Sequence, residues 1–170
     1  GSADNCAVIT SVFSGKQVLR VLNEDRVTNA AFSPDGEWFV TASDDFRIRV
    51  WDSKSGEERM RLLQESLVNE VIISPNGFWI ASTGSDRTVR VWSAANGAEM
   101  FQIPINAPGT KLQFSADNKY LVTGDQAGPI DDEVVLGDIF QPGPIATGPA
   151  VIFEHQLDLV PQVEQPTNVD

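Results

Sequence analysis

Residues 32–52 read FSPDGEWFVTASDDFRIRVWD, and residues 73–93 read ISPNGFWIASTGSDRTVRVWS. Laid one over the other, the two stretches share every landmark. Trp38 becomes Trp79, Asp45 becomes Asp86 and Trp51 becomes Trp92, each at a step of 41 residues. Outside the quoted stretches the same step links Val27 to Val68 and Gly56 to Gly97. It also links Phe32 to Ile73 and Phe114, and Trp79 to Tyr120. A fixed period of this size marks one supersecondary unit that is copied and stacked. Such units bury their apolar faces only against neighbouring copies, so function tends to lie on the surface that the stack creates.

One unit reads as four strands. Val27 to Phe32 is short, apolar and bounded by polar residues. Ser33-Pro34-Asp35-Gly36 supplies turn chemistry, because proline presets φ and Asp and Gly tolerate the rest of a tight turn. Glu37 to Ser43 is rich in strand formers, including Trp38, Phe39, Val40 and Thr41. After a turn at Asp44-Asp45, Arg47 to Trp51 alternates polar and apolar residues. Ser53 to Gly56 turns again, and Glu58 to Leu63 closes the unit. The next copy repeats this grammar from Val68 to Ile103. No stretch holds a 3.6-residue apolar period long enough for a helix.

This pattern resembles a blade of a WD-repeat β-propeller. FSPDG, an Asp-containing turn and IRVWD occur at 32–36, 44–45 and 48–52. ISPNG, SD and VRVW occur at 73–77, 85–86 and 89–92. The resemblance implies an all-β fold of four-stranded antiparallel blades. The register extends backwards: Asp4 matches Asp45, and Thr10 matches Trp51. Ala7 to Val12 then reads as a third strand and Gln17 to Leu22 as a fourth. Forwards, Lys111 to Phe114 and Tyr120 to Gly124 stay in register, but a gap-free step from Trp92 reaches Glu133. Val134 to Asp138 is the better match, which implies a four-residue insertion and puts Gly137 at the tryptophan position. The expected organisation is a C-terminal half-blade at 1–22 and blades at 23–63 and 64–104. A divergent blade with an acidic insertion follows at 105–155, and 156–170 begins a further blade or a tail. Three and a half blades make an incomplete ring, so further blades are expected in cis or from another chain.

The resemblance also implies a buried polar network in each blade, joining a turn Asp, a second-strand Ser or Thr, a third-strand Trp and a histidine ahead of the first strand. By position these are Thr41, Asp45 and Trp51 in one blade, and Ser82, Asp86 and Trp92 in the next. The histidine positions depart from the pattern, holding Asn23, Gln64 and Ile105. Two of these are amides that donate and accept; Ile105 does neither. The network reads as structural, and no catalytic residue is assigned. The single histidine, His155, reads as structural too. Trp38, Trp79 and Tyr120 read as packing between blades.

Composition excludes several function classes. The 170 residues carry a net charge of -12, and after Lys119 there are nine acids and no Lys or Arg. Nucleic-acid binding needs a basic footprint, which this chain lacks. An anionic membrane surface is disfavoured for the same reason. One cysteine, Cys6, excludes an internal disulfide and fits a reducing, cytoplasmic setting. The acidic segment from Asp125 to Asp138 reads as a solvated loop. A calcium site drawn from Asp131, Asp132 and Glu133 is the alternative, but the spacing does not match the 12-residue calcium loop. No cofactor is expected.

The function that the resemblance implies is a protein–protein interaction scaffold for partner proteins or peptides. The alternative is an accessory propeller appended to an enzyme outside this chain, since no phosphate-binding loop or hydrolase motif occurs within it. By register the exposed candidates for partner binding are Arg26, Asp44, Phe46 and Arg47 in one blade, with Ser85 and Arg87 in the next. Phe46 is singled out because a small residue usually occupies that turn position.

Overall fold

The computed structural model describes residues 4–125 and 134–136. A hairpin comes first, with β1 at Cys6–Thr10 and β2 at Gln17–Leu22. The first complete sheet holds β3 (Val27–Phe32), β4 (Trp38–Ser43), β5 (Arg47–Asp52) and β6 (Glu58–Leu63). The second holds β7 (Val68–Ile73), β8 (Trp79–Gly84), β9 (Thr88–Ser93) and β10 (Glu99–Pro104). The last holds β11 (Gly109–Phe114), β12 (Leu121–Asp125) and β13 (Val134–Leu136). Every pairing is antiparallel between consecutive strands. Among the described residues the fold is all-β, with no closed ring.

Alternation along the strands explains the stacking. In the central strands both faces are covered, so β4 is buried throughout. One face of the first complete sheet (Trp38, Val40, Ile48, Val50) forms a single cluster with Val68, Val71, Ile80 and Trp92 of the second. The opposite face of the second sheet, with Ala81, Val89, Val91 and Trp79, packs on Ile105, Leu112, Phe114 and Leu121. The hairpin covers Phe39 and Trp51 with Val21, Ala7, Ile9 and Leu19. Trp38 and Trp79 thus pack between sheets, each against the following copy. The outermost strands β6 and β10 are largely exposed. Burying each aliphatic side chain at these seams contributes about 1.5–3 kcal/mol.

The first strands also carry hydrogen bonds between sheets. Thr28 Oγ1 donates to the Val68 carbonyl at 3.1 Å, and Asn69 Nδ2 donates to the Gly109 carbonyl at 2.9 Å. The second bond is the first displaced by one repeat. Glu70, at 8% exposure, joins β7 to β11 through the Lys111 ammonium at 3.1 Å and the Leu112 amide.

Backbone conformation repeats with the same step. Asn5, Phe46 and Arg87 have φ of 59, 68 and 60°, and Gly36, Gly77 and Asn118 have 70, 74 and 64°. The left-handed region disfavours any side chain and is least tolerable for bulky ones. The repeat uses it for a reason. The carbonyls of Asn5, Phe46 and Arg87 accept the amides of Asn23, Gln64 and Ile105 at 2.7, 2.9 and 2.9 Å. The turn between a blade's second and third strands is thereby tied to the link that enters its next neighbour.

Two details of the sequence reading change. Strand β1 ends at Thr10, so Val12 lies in the turn and is 91% exposed. In the last sheet, Leu121 pairs with Leu136 as Ile80 pairs with Trp92. Leu136 therefore holds the tryptophan position in place of Gly137, and the insertion is three residues, not four. His155 and the segment 156–170 lie outside the described residues.

Candidate functional site

Two rims bound the stacked sheets. The upper rim carries the links 23–26, 64–67 and 105–108 and the turns 44–46 and 85–87. The lower rim carries the turns 11–16, 33–37, 53–57, 74–78, 94–98 and 115–120.

Beneath the upper rim, the polar residues singled out in the sequence come together. In the first complete sheet Trp51 Nε1 donates to Thr41 Oγ1 at 2.9 Å, and Thr41 Oγ1 donates to Asn23 Oδ1 at 2.9 Å. In the second, Trp92 Nε1 donates to Ser82 Oγ at 3.1 Å, and Ser82 donates to Gln64 Oε1 at 2.6 Å. Asp45 and Asp86 accept the amides of Arg47 and Thr88 at 3.0 and 3.1 Å. A buried indole N–H and a buried hydroxyl each need a partner, and each finds one here. In the last sheet Ile105 replaces the amide, and the Thr123 hydroxyl, buried at 4% exposure, has no partner among the described residues.

Sequence reasoning missed the arginines at the centre of these networks. Arg49 and Arg90 are 1% and 5% exposed. Arg49 lies 2.6 Å from Asp45, 3.1 Å from Glu24 and 3.7 Å from Glu58. Arg90 lies 3.5 Å from Asp86, 2.9 Å from Glu65 and 3.1 Å from Glu99. All four members of the cluster recur at the 41-residue step. Burial opposes the Arg90 charge, but Glu65, Glu99 and Asp86 outweigh it and hold its pKa above the ordinary arginine value. The available signal was this joint recurrence of one arginine and three acids.

On the upper rim the partner-binding candidates divide. Arg26 Nε and Asp44 pair with each other at 2.8 Å, and Arg47 pairs with Glu24 at 3.0 Å. Exposed pairs of this kind contribute little energy. Ser85 and Arg87 are exposed, and Phe46 is 43% exposed. Leu67, which takes the position of Arg26 one repeat later, is also 43% exposed and was not anticipated. The rim therefore offers Phe46 and Leu67 among charged neighbours.

The lower rim is built on Ser-Pro-Asp-type turns. Ser33 donates to Asp35 at 2.6 Å, Ser74 to Asn76 at 2.7 Å and Ser115 to Asp117 at 2.6 Å. The Ser33 hydroxyl and the Glu37 amide hold the Asp35 carboxyl below its usual range; Ser115 and Lys119 do the same for Asp117. The Arg59 guanidinium, with the amides of Ser55 and Lys54, holds Asp52 lower still.

No group of three or more His, Cys, Asp or Glu among the described residues is arranged to hold a metal ion. Asp131, Asp132 and Glu133 lie outside the described residues.

Residues 16–52 and 60–93 match the family model described as WD domain, G-beta repeat. Comparison with curated proteins gave no match.

Proposed function

Because the chain belongs to the WD-repeat family, whose repeats generally mediate protein–protein interaction, we propose that it is an interaction scaffold that recruits a protein or peptide on its upper rim. It carries out no chemistry of its own in this reading and works in a cytoplasmic setting.

The observation that carries the reading is Phe46. Its φ is 68°, and the residues one repeat away at the same conformation are Asn5 and Arg87. Holding a bulky side chain in the left-handed region costs about 1–2 kcal/mol. Strain at a position where the fold accepts Asn points to a role outside the fold. An aromatic side chain on a fixed turn, among charged residues, is the kind of anchor that dominates interface energies. Arg26, Asp44, Arg47, Ser85 and Arg87 then form the polar surround, and Leu67 extends the apolar patch. Further blades, in cis or from another chain, would cover the exposed side chains of Val8, Val18 and Leu22 on the open face of the hairpin.

The test compares proteins recovered on wild-type chain and on Phe46→Asn from an extract of the cells that make it. The reading predicts that at least one specific partner is lost with the variant. A folded Phe46→Asn chain that retains every partner would overturn it.

A further inference from the structure

The turn between β1 and β2 places Val12 and Phe13 side by side at its tip, 91% and 99% exposed. For Val12 the two-stranded hairpin accounts for this. Its equivalents Ser53 and Ala94 are half-buried, their amides donating to the Glu37 and Phe78 carbonyls in the turn that joins a blade's first two strands, a turn the hairpin lacks among the described residues. For Phe13 it does not. The equivalent of Phe13 is Lys54 in the first complete sheet and Ala95 in the second, and both are exposed although sheets pack on either side of each. The position of Phe13 therefore stays exposed in every copy. What differs is chemistry: Ser53-Lys54 and Ala94-Ala95 in the complete sheets, Val12-Phe13 here.

The tip is also rigidly built. Ser11 N donates to the Lys16 carbonyl at 2.9 Å, and Gly15 N donates to the Ser11 carbonyl at 2.8 Å. The Ser14 amide donates to Ser11 Oγ and the Lys16 amide to Ser14 Oγ, both at 3.3 Å. Gly15, at φ 67°, supplies the left-handed residue that closes the turn. An anchor already fixed in place loses little entropy on docking.

Charge indicates what the tip meets. In a chain of net charge -12, no acid occurs between Asp4 and Glu24, while Lys16 and Arg20 do. Arg20 pairs with Asp4 at 3.4 Å. Lys16, beside the tip, pairs with no carboxylate among the described residues.

We propose that Phe13 forms a second docking element, on the rim opposite Phe46, that inserts into an apolar pocket bordered by carboxylates on a protein partner. The carboxylates face Lys16, and the overall negative charge of the chain turns it away from an anionic bilayer. This site is independent of the upper-rim reading.

The experiment is photocrosslinking from p-benzoylphenylalanine placed at position 13, with the same group at position 54 as control, in an extract of the producing cells. Affinity is then measured between the crosslinked protein, purified, and wild-type, Phe13→Ser, Lys16→Glu and Lys54→Glu chains. Phe13 is almost fully exposed, so Phe13→Ser should melt as wild type does. The expected result is an adduct from position 13 alone, mapping to an apolar pocket beside acidic residues. Phe13→Ser should then weaken binding about tenfold or more, as loss of an aromatic anchor does. Lys16→Glu should weaken it too, and Lys54→Glu, the same charge change on the next turn along this rim, should leave it unchanged. Equal adducts from position 54, binding indifferent to Phe13→Ser, or transfer of the label instead to phosphatidylcholine–phosphatidylserine vesicles would each overturn the proposal.

Discussion

Arg49 donates to Asn23 across 3.2 Å and thereby does in the first complete sheet what a longer amide does for itself in the second. Asn23 is too short to reach Asp45, so Arg49 Nη1 bridges them and lies 2.6 Å from the carboxylate. Gln64 has one more methylene and approaches Asp86 directly at 3.4 Å. Arg90 then sits farther from Asp86, at 3.5 Å. The length of one side chain decides how each network closes.

Removing either arginine should therefore destabilise the fold. Arg49→Met leaves the buried Asp45 carboxylate without its cation, and breaking a buried ion pair costs about 3–5 kcal/mol. Arg90→Met, whose acid partners reach solvent, should cost less. Chemical denaturation measures this. A loss under about 1 kcal/mol in Arg49→Met would show that the clusters are incidental.

The tryptophans at the end of each network should matter as much. Trp51→Ala or Trp92→Ala removes a side chain 6% or 5% exposed and should cost about 3–5 kcal/mol. Equilibrium unfolding of either variant within about 1 kcal/mol of wild type would contradict the packing described.

Phe46 should behave in the opposite way. Phe46→Gly relieves the left-handed strain, worth about 1–2 kcal/mol, at an exposed site. Its melting temperature should rise or hold while partner binding falls. A marked destabilisation would mean that the ring packs into the fold and is not held for a partner.

Acid should loosen the lower rim. Asp35, Asp52 and Asp117 all have folded pKa values below the unfolded value of about 3.9. Their contribution is complete above that value and is lost as pH falls through the folded values. Melting temperature should decline below about pH 4, and Asp52→Asn should flatten part of that decline. An unchanged slope in the variant would contradict the assignment.

Much of this was legible in the sequence because the turns and the seam residues obey one period. Trp38, Asp45 and Trp51 find their copies without a gap, and their strands pair as the spacing requires. Val12 misled because a β-branched residue beside an aromatic reads as strand, whereas the bonds between Ser11 and Lys16 had already ended it. Arg49 and Arg90 draw no reading from the sequence, because arginine is almost never fully buried unless paired. Their partners stand up to 25 residues away, so pairing was invisible until the strands were assembled. Arg26 and Asp44 read as exposed candidates for partner binding, and their pairing with each other across adjacent loops is visible only in the fold. The tryptophan position of the last sheet was misplaced by one because an insertion breaks the register there.

One comparison tests most directly the claim that a polar network repeats every 41 residues and is lost in the last sheet. Thr→Val keeps side-chain shape and deletes only the hydroxyl. At position 41 the hydroxyl accepts from Trp51 and donates to Asn23, so Thr41→Val strands two buried groups and should cost about 1–3 kcal/mol. At position 123 the hydroxyl is buried without a partner among the described residues, so Thr123→Val should be neutral or stabilising by up to about 1–2 kcal/mol. Equilibrium denaturation of the two variants side by side should give opposite or clearly separated shifts. Equal destabilisation at both positions would contradict the account.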